Sequence, residues 1–168
     1  MDDATAVRAL TDRAAVADLL TSFSIALDSC DWAGYRGVFT DEIDLDYSSW
    51  SAGAVGRWSA DDWVARAAAS FPGFTATRHA LTKVLVTLDP ADPDRARVRA
   101  DVCAEHVVAD VTGETHVFTV NGWYDDGCVR TPSGWRIDAK RLVVRWTTGD
   151  RGIMDLARTR TAARLGRA

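Results

Sequence analysis

Cysteine is rare in this sequence and follows no ligand pattern. Cys30, Cys103 and Cys128 are odd in number and widely separated, which argues against a disulfide framework and against a zinc site. We therefore predict reduced thiols. Long hydrophobic runs are also missing, since no stretch reaches the roughly 18 consecutive apolar residues of a membrane span, and the opening residues MDDATAVRALTD are acidic. These absences predict a cytoplasmic protein with no membrane partner.

Positive charge is scarce over most of the chain. The 20 Lys and Arg residues are outnumbered by 24 Asp and Glu residues, which gives a net charge of -4. No basic face with interleaved aromatic residues occurs, so no nucleic-acid partner is expected. Only the C-terminal part is basic, and a solvated helix face or a loose tail is favoured there over an anion-binding role. Its arginines include Arg151, Arg158, Arg160, Arg164 and Arg167.

Motifs for metal and phosphate binding are absent. The three histidines, His79, His106 and His116, form no HxH, HxxxH or HxxEH spacing. The chain also lacks a Gly-rich phosphate loop and a GxSxG nucleophile motif. A site made of Asp28, His79 and His106 stays geometrically open, but we predict neither a metal nor a cofactor.

Hydrophobic and indole side chains are plentiful. The 168 residues, 47% of them hydrophobic, suffice for a single domain over residues 1–168 with a core of its own. Residues 148–168 are expected to form a C-terminal helix or tail of that domain. Seven tryptophans are more than a chain of this length usually carries. They suit an aromatic-lined cavity, although a packed core is the commoner explanation.

Helical periodicity marks the first part of the chain. Apolar residues at intervals of three and four predict a helix over 5–28 that is capped by Thr5. Asp31 is placed to cap a second, short helix. Ser59 and Asp62 match the spacing of a capping box, which predicts the start of a third helix.

Asp28 is the unusual residue of the first helix. At about 100° per residue it lies in the row of Leu10, Ala17 and Thr21, at the C-terminal end where the helix dipole disfavours negative charge. A carboxylate that loses water there needs a partner. The alternative is that Asp28 turns to solvent at a frayed helix end or caps the following turn.

Alternation with a period of two dominates the rest of the chain. Ile43, Leu45 and Tyr47 share one face of a first strand, so Tyr47 is predicted to point inward. Four longer strands are predicted at about 77–88, 95–110, 114–126 and 134–147. Apolar residues change parity within the last strand, which indicates a bulge and a bent sheet. We predict an α+β fold with a curved antiparallel sheet and about three helices on its concave face.

The histidines differ in their strand positions. His79 lies on a strand that is apolar on both faces, where a pair with Asp28 would fix the ring tautomer and raise the basicity of the other nitrogen. His106 extends an apolar face, and a satisfied core histidine is the favoured interpretation from position alone. His116 follows a turn and is expected to be exposed.

The order of these segments resembles the SnoaL-like branch of the nuclear transport factor 2-like superfamily. The segments are ALDSCDWAGYRGVF, DLDY, TRHALTKVLV, RVRADVCAEHVV, FTVNGWYDD and GWRIDAKRLVVRW, up to about Trp146. The resemblance implies a cone-shaped α+β fold. Its pocket serves dehydratases, isomerases, cyclases and dehydrochlorinases, and also catalytically silent binding domains.

Within that superfamily the pattern is most similar to scytalone dehydratase. This similarity implies that Asp28 and His79 form a general base and that Tyr47 and His106 are further catalytic residues. It also implies a substrate contact at Asn121.

Three more residues are candidate substrate contacts. Trp32 and Tyr35 are spaced to pack inward from the second helix. Lys83 stands where relatives in this superfamily often carry Asn, so it is either an electrophile or a charge at the pocket edge.

Together these features predict a cofactor-independent dehydratase-type lyase that acts on a cyclic aromatic or polyketide-like small molecule. A polyketide cyclase or a ketosteroid-isomerase-like isomerase would use the same pocket without loss of water. A non-catalytic ligand-binding or dimerisation domain is the alternative from another class, and the converging titratable groups favour an enzyme over it. Because both faces of the last strand carry apolar residues, a homodimer or homotrimer is expected.

Overall fold

The computed structural model describes residues 2–51 and 53–166, which form four helices and six strands. The helices are α1 (Asp3–Asp28), α2 (Trp32–Gly37), α3 (Ala60–Ala68) and α4 (Ile153–Leu165), and a 3-10 turn spans Phe71–Gly73. The strands are β1 (Phe39–Asp46), β2 (Val55–Ser59), β3 (Ala76–Leu88), β4 (Arg95–Ala109), β5 (Thr115–Thr131) and β6 (Gly134–Gly149).

The six strands form one curved, unclosed sheet in the order β2-β1-β6-β5-β4-β3. Neighbouring strands are antiparallel except for the parallel pair β1 and β6. This architecture confirms the predicted α+β class with its curved sheet. No helix in the described part of the chain is both long and apolar enough to cross a lipid bilayer.

The helix starts follow the capping chemistry of the sequence with one difference. Asp31 caps α2 by accepting a hydrogen bond from the Gly34 N–H at 3.0 Å, as predicted. α1, however, begins earlier than expected, because Asp2 accepts a hydrogen bond from the Thr5 N–H at 2.8 Å. Thr5 is therefore a donor inside the first turn, and the cap is the acidic residue before it.

α1 packs on the sheet through a different row from the one suggested by Asp28. Val16, Leu20 and Phe23 are buried, whereas Leu10 is exposed. Apolar residues occur on more than one face of this helix, so periodicity alone does not select the buried face. Asp28 lies at the edge of that face with 22% of its side chain exposed.

The strand predictions differ from the structure at two places. β2 falls in a stretch for which no strand is predicted, and β5 continues past the predicted end at 126 to Thr131. β2 is short and pairs only with β1 at the sheet edge, so it carries little alternation in its sequence.

A bulge in β6 accounts for the predicted change of parity. Gly127 pairs with Ala139 while Cys128 pairs with Ile137, which leaves Asp138 as the extra residue. An extra residue rotates the following side chains to the other face and bends the strand. As a result Lys140 faces the same core as Ile137.

α4 closes one side of the sheet by small residues rather than by leucines. Ile153, Ala157 and Thr161 are buried, whereas Leu156 and Leu165 are exposed. The two leucines therefore do not anchor this helix.

The 3-10 turn supplies the surface that α4 contacts. A Cβ on Gly73 would lie 1.8 Å from the Ala157 carbonyl oxygen, so only glycine permits this approach. The Thr161 hydroxyl donates a hydrogen bond to the Ser70 carbonyl at 3.1 Å. α4 is thus fixed directly above the segment that leads into β3.

Candidate active site

A cavity of about 550 Å³ lies between the concave face of the sheet and the helices. β4 and β5 supply small apolar walls through Val102, Ala104 and Val120. A volume of this size suits a small organic molecule. Of the predicted site residues, those that line the cavity are Tyr35, Tyr47, His79 and His106.

Asp28 and His79 form a two-point contact at the wall of the cavity. The Asp28 Oδ1 atom lies 2.7 Å from His79 Nδ1, and Oδ2 accepts the His79 main-chain N–H at 2.7 Å. The Thr77 hydroxyl donates a further hydrogen bond to Oδ1 at 2.8 Å. A carboxylate accepts hydrogen bonds, so Nδ1 carries the proton and Nε2 keeps a lone pair.

Electrostatics favour the ionised form of Asp28. Burial by itself would raise the pKa of this carboxyl, but the hydrogen bonds and charge of His79, together with Thr77, hold the pKa below its ordinary value. Asp28 therefore stays an acceptor that orients the imidazole at neutral pH. The alternative of a solvent-turned Asp28 does not describe this structure.

His106 lies beside His79 but in a different environment. The two rings meet edge to face with centroids 5.6 Å apart. Burial, and then the nearby charge of His79, lowers the pKa of His106 to about 4. Its Nδ1 lies 3.3 Å from the Phe118 carbonyl oxygen, which can only accept, so Nδ1 donates and Nε2 is an acceptor.

Aromatic side chains hold the two imidazoles in place. Phe71 stacks on His79 with a centroid distance of 5.9 Å and an interplanar angle of 28°. Phe74 packs on His106 at 5.1 Å. These contacts restrict ring rotation, so each ring presents a fixed edge to the cavity.

Three tyrosines form the hydroxyl-bearing part of the cavity. Tyr35, Tyr47 and Tyr124 are buried and all line it. Burial raises the pKa of each phenol, and neighbouring phenols and Asp126 raise the pKa of Tyr47 and Tyr124 further. The phenols are therefore neutral hydrogen-bond donors throughout the physiological range.

Trp63 adds a donor that the strand and helix patterns did not single out. Its buried Nε1 has no acceptor in hydrogen-bond geometry among the described residues, although the indole lies against the Tyr35 hydroxyl. Trp63 lines the cavity next to Tyr47, with ring centroids 4.9 Å apart. A ligand oxygen can satisfy this N–H.

Three predicted substrate contacts lie away from the cavity, so their assignments are corrected: Asn121, Trp32 and Lys83. Asn121 follows the cavity-lining Val120 and pairs with the partly exposed Cys103, so strand alternation directs it to the outer face. Trp32 does not line the cavity and packs edge to face on Tyr35 at 6.3 Å.

Lys83 belongs to the surface. It occupies a bulge in β3 with a φ of 50°, and 80% of its side chain is exposed. Its Nζ lies 2.7 Å from Asp101 Oδ2. Lys83 is therefore part of an exposed ion pair, and neither an electrophile nor a pocket-edge charge.

A buried ion pair was missed by the sequence reasoning. Lys140 Nζ lies 2.6 Å from Asp126 Oδ2, and both side chains are 0% exposed. The ammonium sits 3.8 Å from the ring centroids of both Phe23 and Tyr124. In the sequence, Asp126 falls on the same strand face as Tyr124 and Cys128, which could have indicated that it is buried. The bulge in β6 prevents the same alternation from placing Lys140 on the facing side.

Two arginines at the mouth of the cavity were also missed. Arg66 of α3 and Arg158 of α4 line the same cavity as the two imidazoles. Both lie on exposed helix faces, where a sequence pattern predicts solvated charge. The remaining basic side chains of α4, Arg160 and Arg164, instead bind the carbonyl oxygens of Ala109 and Pro72.

One grouping of metal-ligand residues occurs in the described residues, at the turn between β4 and β5. Ligand atoms of Asp110, Glu114 and His116 lie within 4.8 Å of one another. None of the three lines the cavity. They are separate from the Asp28 and His79 pair.

The fold and the cavity place this chain in the nuclear transport factor 2-like superfamily. Residues 8–141 match the SnoaL-like domain, and the chain belongs to the SnoaL-like family.

Several bacterial proteins are similar to this chain. The chain is 32% identical over 133 residues to the uncharacterized protein Rv2910c of Mycobacterium tuberculosis, which covers 78% of this chain and 84% of Rv2910c. The structure of Kfla4162 from Kribbella flavida has a TM-score of 0.77 at 32% identity, covering 89% of this chain and 99% of that one. A candidate aromatic ring hydroxylase from Novosphingobium aromaticivorans has a TM-score of 0.72 at 25% identity, covering 88% and 97%.

More distant structures share the fold. A candidate scytalone dehydratase from Novosphingobium aromaticivorans has a TM-score of 0.71 at 18% identity, covering 87% of this chain and 92% of that one. The hexachlorocyclohexane dehydrochlorinase LinA-type3 from Novosphingobium barchaimii has a TM-score of 0.65 at 17% identity, covering 87% and 94%. Identities this low establish a common fold and leave the reaction to be argued from the site.

Proposed function

We propose that this protein is a cofactor-independent lyase of the dehydratase type, which removes water from a cyclic aromatic or polyketide-like small molecule. The observation that carries the proposal is the two-point contact of Asp28 with the ring and main chain of His79 at the cavity wall. This contact fixes the tautomer in which Nε2 is the basic nitrogen. General-base catalysis needs that arrangement within reach of substrate.

The first step is proton transfer from carbon to His79. Nε2 removes a proton from the carbon next to a substrate carbonyl, and the electrons of that C–H bond move toward the carbonyl oxygen. Asp28 stabilises the imidazolium that forms, because its carboxylate already accepts the Nδ1 proton at 2.7 Å. The pair thus holds the transferred proton beside the substrate.

The developing negative charge needs donors near the carbonyl oxygen. Tyr47 supplies a phenol, and burial keeps that phenol protonated. Trp63 supplies an indole N–H that has no acceptor in hydrogen-bond geometry among the described residues. Preorganised donors of this kind stabilise an oxyanion more than they stabilise the neutral carbonyl.

His106 acts on the substrate hydroxyl. With its pKa lowered to about 4, His106 is neutral at physiological pH, and its Nε2 accepts a hydrogen bond from that hydroxyl. The enolate oxygen then re-forms the carbonyl, the C=C electron pair of the enolate forms the double bond to the carbon that carries the hydroxyl, and the C–O bond breaks with its electron pair on oxygen. The departing hydroxide takes the proton from the His79 imidazolium and leaves as water.

Two of the structures that share the fold support a lyase over other classes. One bears the name of a scytalone dehydratase and the other of a dehydrochlorinase. Both names describe elimination reactions. The candidate ring hydroxylase is more similar to this chain than either of these two structures, so the proposal rests on the site and not on these names.

Deuterium exchange measures the proposed proton transfer before the natural substrate is identified. A panel of cyclic β-hydroxyketones and hydroxylated aromatic ketones is incubated with the protein in D₂O. We expect exchange at the carbon next to the carbonyl and, for the best substrate, a product lighter by one water. Asp28→Asn and His79→Gln should each lower the rate by about 100-fold or more.

The chain supplies a matched control for these variants. His116 also faces a carboxylate, with Nε2 at 3.7 Å from Asp110 Oδ2, but it lies outside the cavity. His116→Gln should therefore leave the exchange rate unchanged. The double variant of Asp28 and His79 should be little slower than either single variant, because residues that act as a unit are not additive.

The outcomes separate the alternatives. Exchange with a product of unchanged mass supports an isomerase or cyclase that uses the same base. Folded Asp28 and His79 variants that keep the wild-type rate contradict the proposal. Absence of exchange with every panel member, with binding retained, assigns the cavity to a non-catalytic binding domain.

A further inference from the structure

The mouth of the cavity is positive although the protein is negative. Arg66 and Arg158 line the cavity together with His79 and His106, and no Asp or Glu among the described residues lines it. The whole chain carries a net charge of -4. A local excess of positive charge at the opening of a cavity attracts anionic ligands and repels cations.

Arg66 has unused hydrogen-bonding capacity. Within the described part of the chain, no carboxylate lies at ion-pair distance from it, and its single side-chain partner is the Ser51 hydroxyl at 3.5 Å from Nη2. The guanidinium also lies 5.8 Å from the centroid of the Trp58 ring. A guanidinium has five N–H donors in a planar fork, so Arg66 retains donors for a ligand.

Arg158 has a partner that a ligand can replace. Its Nη1 lies 3.0 Å from Asp155 Oδ1 one turn earlier on α4, and the two side chains are 63% and 81% exposed. Exposed ion pairs of this kind contribute little free energy because water screens both charges. Arg158 can therefore exchange Asp155 for a carboxylate that arrives at the mouth of the cavity.

We propose that the substrate is an organic acid whose carboxylate binds Arg66 and Arg158 while its reacting carbon lies beside His79. Guanidinium groups bind carboxylates through paired N–H donors, which fix orientation as well as charge. The cavity of about 550 Å³ has room for a ring system between the mouth and the imidazoles. This inference deepens the proposed function and rests on it.

Isothermal titration calorimetry with aromatic acids tests the inference without turnover. The probes are benzoate, cinnamate and naphthoate, each compared with its own neutral carboxamide. We expect the best acid to bind about tenfold more tightly than its carboxamide, as two partly screened charge contacts allow. The Arg66→Gln, Arg158→Gln double variant should bind the acid and the carboxamide equally.

Two further variants separate the proposed contact from general charge effects. Arg145 lies outside the cavity, 5.5 Å from the centroid of the Trp123 ring, so Arg145→Gln should keep the preference for the acid. Asp155→Asn releases Arg158 and should tighten the binding of acids about twofold. A misfolded variant cannot produce that gain.

The inference is overturned if no acid binds at millimolar concentration, if acids and carboxamides bind equally to the wild-type protein, or if the double variant keeps the preference. Failure of the proposed function looks different. In that case the His79→Gln variant keeps the deuterium-exchange rate, while the preference for acids and its loss in the arginine variants are unaffected.

Discussion

Asp28 and Asp126 each accept a main-chain N–H and each face a basic side chain, but they differ in contact with water. Asp28 lies 2.7 Å from His79 Nδ1 with 22% of its side chain exposed, whereas Asp126 lies 2.6 Å from Lys140 Nζ with 0% exposed. Burial raises the pKa of Asp126 despite the attraction of Lys140. At Asp28 the hydrogen bonds and charge of His79 and the Thr77 hydroxyl together outweigh burial, and the pKa is lowered.

The difference separates two uses of a paired carboxylate. A carboxylate with partial access to water stays ionised and can respond to proton transfer at its partner. A carboxylate without water is satisfied only in one packing arrangement, and its attraction for a cation barely compensates for the lost hydration. Solvent access, more than the presence of a partner, therefore distinguishes the Asp28 pair from the Asp126 pair.

The largest effect is expected from breaking the fully buried pair of Lys140 and Asp126. Lys140→Met removes the cation and leaves Asp126 buried without compensation, which should lower the free energy of unfolding by about 3–5 kcal/mol. Urea denaturation at neutral pH measures the change. Adding Asp126→Leu to Lys140→Met should restore most of the stability, because replacing both members of a buried pair is often neutral. A single variant of near-normal stability would contradict the comparison.

The next largest effect is a loss of stability at acidic pH, caused by His106 in the cavity. His106 has a folded pKa of about 4 against about 6.5 for an unfolded histidine. The unfolded state thus binds more protons between these values, so the free energy of unfolding falls as pH drops through this window, by about 3 kcal/mol at most.

The stability slope between about pH 6.5 and pH 4 should flatten in a His106→Gln variant, because that variant has no proton to gain there. Urea denaturation at a series of pH values gives the slope. His116→Gln is the control, since this partly exposed ring lies at the start of β5, outside the cavity. An unchanged slope in His106→Gln would show that other groups cause the acid sensitivity.

A smaller loss of stability is expected from breaking the partly exposed pair of Asp28 and His79. Asp28→Asn keeps the size of the side chain but removes the charge that accepts the His79 and Thr77 hydrogen bonds. Because water reaches this carboxyl, we expect a loss of about 1–2 kcal/mol in the free energy of unfolding. The same measurement on Asp126→Asn should give the larger loss. Equal losses would remove the distinction between the two pairs.

The smallest effect concerns the exposed pair of Lys83 and Asp101. Lys83→Met deletes a contact that is 2.7 Å long but lies in water. Screening makes such pairs nearly neutral in energy, so the thermal unfolding midpoint should not change measurably. A clear drop in the unfolding midpoint would show that a short distance is enough for an ion pair to stabilise the fold, even when the pair is exposed.

Much of the site could be anticipated because it lies on well-patterned elements. Tyr47 comes directly after β1 and continues its strict alternation, and it lines the cavity as that alternation predicts. His79 and Asp28 meet although the buried face of α1 was assigned to the wrong row. Asp28 is the last residue of α1 and lies at the edge of its buried face, so its carboxylate reaches β3 without lying inside the packed row.

Other residues could not be placed by pattern. Asn121 lies on a strand with apolar residues on both faces, so parity does not decide which face meets the cavity. Lys140 follows a bulge, and one extra residue reverses the face assigned to the residues that come directly after it. Arg66 and Arg158 stand on exposed helix faces, and only the packing of α3 and α4 shows that those faces border an opening.

The contact of Gly73 with Ala157 has a consequence for the speed of ligand exchange. Main-chain atoms of α4 and of the 3-10 turn approach too closely for any side chain to intervene, and the Thr161 hydroxyl ties α4 to Ser70. A movement of α4 away from the 3-10 turn would therefore break the packing and the hydrogen bond between them at the same time. The entrance is preformed, so association should be single-step and linear in ligand concentration, with none of the saturation in rate that a closing lid imposes.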